Sequence, residues 1–141
     1  MLEECINTLR EKAKEYNYDI KELEHAELVR FFRRDMESGN AKVYSIVGYK
    51  PDYDIRDDYG CKYIWDQYRV LNKIIEECYG IIGEHHNSPS PSSEWGEFFE
   101  KWKVQDVTIL NYLYGHPREG YYHTVLLVKE GDIKKKKPYY K

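Results

Sequence analysis

Gly60-Cys61 stands at the predicted start of the most regular helix in the chain, and His123 opens a predicted strand 62 residues later. A thiol at a helix N-terminus is favoured as thiolate, because unpaired backbone N–H groups and the helix dipole stabilise negative charge. A thiolate is a nucleophile, and an imidazole within hydrogen-bond reach can take up or return a proton. Asp132, nine residues after His123, supplies a carboxylate that would orient the ring. Such a set performs acyl transfer. The competing account is packing: Cys61 shares a helical face with Ile64, Tyr68 and Leu71, where a thiol serves as a small hydrophobe.

A Cys at a helix start, a His on a later strand and a polar third member together resemble the papain-like layout. The resemblance covers the stretches YGCKYIW and YYHTVLLVKEGD. It implies a cysteine hydrolase or acyltransferase with Cys61 as nucleophile, His123 as base and Asp132 as orienting group.

Other residue groups suggest different chemistry. Glu84, His85, His86 and His116 are the types that bind divalent ions. Neighbouring side chains diverge, however, and no spaced Cys/His signature or H-E-x-x-H is present, so no metal or cofactor is expected. The terminus KKKKPYYK places Lys134, Lys135, Lys136 and Lys137 beside Tyr139 and Tyr140, types that contact phosphate and stack on bases. A solvated, frayed tail has the same composition. Trp95, Phe98, Phe99 and Trp102, spaced 3, 1 and 3, fall on one face of a predicted helix. That face serves either the core or a partner, and a second copy of it would make a homodimer.

The elements that position these residues follow from periodicity. Leu2, Ile6, Leu9, Ala13 and Tyr16 predict a first helix; a second is expected from about Lys21 to Ser38, ended by Gly39. Lys42 to Tyr49 reads as a strand. Ile64, Tyr68, Leu71, Ile75, Cys78 and Ile82 define the helix that Cys61 opens. HHNSPSPSS reads as a polar loop, with the short aromatic helix after it. Residues 104–129 read as a hairpin, although its first arm, 104–114, fits a short helix from Asp106 as well as a strand; the second arm, YYHTVLLVK, is apolar on both faces and so central. These elements predict an α+β fold: one domain over residues 1–133, a small antiparallel sheet of about three strands packed against three to four helices, and a basic tail at 134–141.

Composition restricts the function classes. The chain has 141 residues, 15 of them Tyr, and is 41% hydrophobic and 33% charged, the profile of a folded protein rather than a disordered one. Net charge is −3, but residues 1–133 hold 17 basic and 25 acidic side chains. An acidic body argues against nucleic-acid binding except through the tail. Three cysteines with no C-x-x-C pair and no apolar leader suggest free thiols and a cytoplasmic protein, with no membrane association. The expected function is therefore a small interaction or regulatory protein that binds a protein partner through Tyr- and Trp-rich surface. An accessory factor of a virus or mobile element would have these properties.

Overall fold

The computed structural model describes residues 2–23, 42–48, 62–87, 97–116 and 121–132. The first apolar repeat folds as helix α1, Leu2–Glu15, with Cys5, Ile6, Leu9 and Ala13 buried. Glu3 and Glu4 lie in its first turn and Lys12 and Lys14 in its last, each complementing the helix dipole. Asn17 takes a left-handed φ of 61°, a conformation Asn tolerates, and turns the chain into strand β1, Tyr18–Glu22. The second repeat folds as helix α2, Lys62–Tyr79, burying Gln67, Tyr68, Leu71, Ile74 and Ile75. Gly80, at φ 66°, ends it.

The remaining strands are β2 (Lys42–Gly48), β3 (Glu84–Asn87), β4 (Glu97–Val104), β5 (Val107–His116) and β6 (Tyr121–Glu130). They form one six-stranded sheet in the order β1-β2-β6-β5-β4-β3, with every neighbouring pair antiparallel. β4 and β5 are joined tightly through Gln105 and Asp106, where Gln105 has a φ of 55°. Gly131 N donates to Asp106 O at 2.6 Å, tying the end of β6 to that turn.

The architecture is α+β, but the expected proportions are corrected. The described residues contain two helices and six strands, not three to four helices against about three strands. Three segments account for the difference. Lys21 and Glu22 belong to β1, where only Ile20 is buried; a short strand with one apolar anchor has no visible alternation. The rest of that expected helix, residues 24–38, lies outside the described residues. His85–Asn87, the start of the expected polar loop, belong instead to strand β3, which ends the sheet among the described residues and is held by backbone pairing to β4, which asks little of its side chains. The aromatic segment is a strand, not a helix: Glu97–Val104 pairs residue by residue with Val107–Tyr114. Its 3-1-3 spacing fits a helical face, but a partner strand overrides local periodicity.

Both described helices pack on one face of the sheet. Ile6, Leu9 and Ala13 of α1 and Leu71, Ile74 and Ile75 of α2 meet Ile20, Tyr44, Trp102, Ile109, Leu126 and Val128 in one core. Val43, Leu110, Val125 and Leu127 form a second cluster on the opposite face, with Leu23 and Phe99 against it. All four residues from Val125 to Val128 are buried, as a central strand requires.

Candidate functional site

Strand register assembles a polar row inside the helix-covered face. His85 on β3 lies opposite Glu100 on β4, and Glu100 lies opposite Asn111 on β5. Asn111 Nδ2 donates to Tyr68 O at 2.9 Å and to Asn72 Oδ1 at 2.7 Å, so α2 closes over the row. His85 Nδ1 is 2.6 Å from Glu100 Oε1. The His85 side chain is 56% exposed and that of Glu100 only 14%, so the pair leads from solvent into the protein.

Burial pushes the Glu100 carboxyl up to about 7, since a desolvated carboxylate loses its hydration. The adjacent imidazole, when protonated, opposes that shift. Glu100 Oε2, Asn111 Oδ1 and Tyr68 Oη are buried without a hydrogen-bond partner. A carboxyl that titrates near neutrality beside an exposed imidazole can hold or hand over a proton. Nothing in local sequence pairs residues 85, 100 and 111. The one visible signal is Asn111, a lone amide inside the buried run VTILNYL.

The structure disperses the residues singled out from sequence. Cys61 lies outside the described residues. His123 sits near the start of β6, opposite Tyr114, while Asp132 lies beyond the other end and bonds Lys103 Nζ at 2.7 Å. β6 is paired with β5 along its whole length, and a strand rises about 3.3 Å per residue. His123 and Asp132 are therefore on the order of 25 Å apart, and Asp132 cannot orient that ring.

Glu84, His85 and His86 are consecutive on β3 and alternate between its faces; His116 ends β5, opposite Tyr121. Among the described residues no three His, Cys, Asp or Glu side chains are grouped to hold a metal. Trp102 is 1% exposed and donates its indole N–H to Ile81 O at 3.1 Å, so it is core rather than binding surface. Phe99 packs on the opposite face beside Tyr112, with ring centroids 6.2 Å apart. Phe98 pairs with Leu113 in the ladder. Trp95, Lys134–Lys137, Tyr139 and Tyr140 lie outside the described residues. Cys5 and Cys78 are free, and burial raises both thiols, which keeps them protonated.

Every aromatic side chain whose burial is described is buried or half-buried. The exposed large hydrophobics are instead Ile81 and Ile82, 43% and 85% exposed, in the link from α2 to β3. β3 itself ends the sheet, and its outer edge has no strand partner among the described residues.

No family model, curated protein or solved structure matches this chain. No described helix is long and apolar enough to cross a membrane.

Proposed function

We propose that this chain is a non-enzymatic interaction protein that binds a protein partner along Ile81–Asn87. The observation that supports this is Ile82, 85% exposed immediately before the strand that ends the sheet among the described residues. An edge strand offers unpaired backbone groups to a second chain, and neighbouring apolar side chains supply anchors that exclude water. The aromatic excess enters the reading differently from its sequence form: among the described residues, Tyr and Trp build the core, and the exposed apolar contact is aliphatic.

The test is a photo-reactive amino acid at position 82 of the full chain, expressed in cells. The expected result is a discrete adduct with one protein, lost when β3 carries His85→Pro, which removes a backbone donor from the edge. Ile82→Lys should abolish the same complex without lowering the thermal midpoint. An Ile82→Lys variant that binds as wild type does would overturn the reading.

A further inference from the structure

Two register partners on the β4–β5 ladder each carry a buried acceptor atom without a donor. Glu100 and Asn111 are register partners on the helix-covered face, so their Cβ atoms lie about 5 Å apart. Asn111 has spent both amide protons on Tyr68 O and Asn72 Oδ1, which fixes Oδ1 as an acceptor in need of a donor. Glu100 has spent Oε1 on His85, which leaves Oε2. Both Oε2 and Oδ1 are buried without a partner. Leaving one such atom unsatisfied is costly, because it gives up its hydrogen bond to water, and here there are two.

We propose that Glu100 is protonated on Oε2 and donates that proton to Asn111 Oδ1, so that His85, Glu100, Asn111 and Asn72 form one hydrogen-bonded chain that latches the edge strand β3 to the sheet. One proton satisfies both orphaned atoms. Its loss to water leaves a buried carboxylate facing an amide oxygen, two acceptors with no hydrogen between them. β3 is then the element to loosen, because it ends the sheet among the described residues and pairs with β4 over only four residues.

The titratable groups nearest the row on the packed elements are His85 on β3 and Tyr68 on α2; Gln67, Asn72 and Asn111 carry no charge at any pH. Lys101 and Lys103 alternate to the other face of β4. The raised carboxyl agrees with the geometry: burial alone moves Glu100 up to about 7. The latch is thus closed in mildly acidic solution and opens as pH passes neutrality.

The experiment follows the Glu100 side-chain carbon by NMR on the labelled full chain, together with amide-exchange protection of His85, His86 and Asn87. The expected carboxyl midpoint is near 7, with the Asn111 side-chain amide moving in the same titration. Protection in β3 should fall at least ~10-fold from pH 5.5 to pH 8.5 after correction for intrinsic exchange. Glu100→Gln presents an N–H donor to Asn111 Oδ1 at every pH, so its β3 protection should not change with pH. A Glu100 midpoint near 4.5 would overturn the proposal. A Glu100→Gln variant with the same pH-dependent loosening would overturn it equally. The wild-type titration decides the matter even if the variant folds poorly.

Discussion

Gly83 lies against the Trp102 indole so closely that a Cβ at position 83 would come within 2.6 Å of Cε2 and Cζ2. Trp102 cannot retreat: it is fully buried in the helix-covered core and its N–H is held by Ile81 O at 3.1 Å. The link from α2 into β3 is therefore shaped around one ring. Gly83→Ala is expected to destabilise the fold by about 1–3 kcal/mol, the range for overpacking a well-filled core. Urea denaturation should show a lower midpoint with an unchanged slope. A midpoint equal to wild type would mean the link moves freely off the ring.

Trp102→Ala removes the largest side chain of that core. The expected loss is about 3–5 kcal/mol. Trp102→Phe keeps much of the volume but leaves Ile81 O without its donor, and should cost about 1–3 kcal/mol. Denaturation of both variants tests the ranking; a Trp102→Phe variant as stable as wild type would show that the indole N–H bond contributes nothing.

Asn111 is the polar member of β5 that the fold depends on most. Asn111→Ala strips the donors from Tyr68 O and Asn72 Oδ1 inside the protein. A loss of about 2–4 kcal/mol is expected, from an opened cavity plus two unpaired acceptors. A tolerant Asn111→Ala variant would mean the amide is ornamental.

Glu100 makes stability depend on pH in a defined direction. Its folded-state value, about 7, lies above the ordinary 4.5. The folded protein therefore binds more protons than the unfolded chain between those limits, and stability falls as pH rises through that window. The full difference is about 3 kcal/mol before the attraction of a protonated His85 is counted against it. Thermal midpoints from pH 4.5 to 8 should decline in wild type and decline less in Glu100→Gln. Parallel curves would remove Glu100 as the cause.

Cys5 and Cys78 should resist alkylation in the native protein at pH 7. Burial raises both thiols, and at Cys5 it outweighs the hydrogen bond accepted from the Tyr79 hydroxyl at 3.1 Å, which favours the thiolate. Mass-resolved labelling is expected to be slow for both, rising to ordinary thiol rates once guanidinium unfolds the chain. Rapid native labelling at either position would mean the helices part readily there.

The elements that sequence periodicity located are those whose burial is written in their own residues. α1 and α2 carry one apolar stripe each, and β6 carries Val125–Val128, apolar on both faces. β3 and β4 are different in kind. Glu84–Asn87 has no apolar pattern, and the aromatic residues of β4 happen to match a helical interval. Both become strands through pairing with a neighbour, which no local window contains. The polar row was hidden for the same reason: residues 85, 100 and 111 meet only through two ladders. Conversely, only nine residues separate His123 and Asp132 in sequence, but an extended strand holds them apart.

The strand order also bears on how the chain is made. β2 precedes α2 in the chain, yet the two strands beside it are β1 and β6, and β6 begins only at Tyr121. During synthesis the N-terminal hairpin and its apolar side chains therefore emerge long before the strand they dock on. Residues 49–120 must all leave the ribosome before β2 finds its inner neighbour. Such a chain waits with hydrophobic surface uncovered, so its birth rather than its mature life is when it is most exposed to aggregation and most in need of a chaperone.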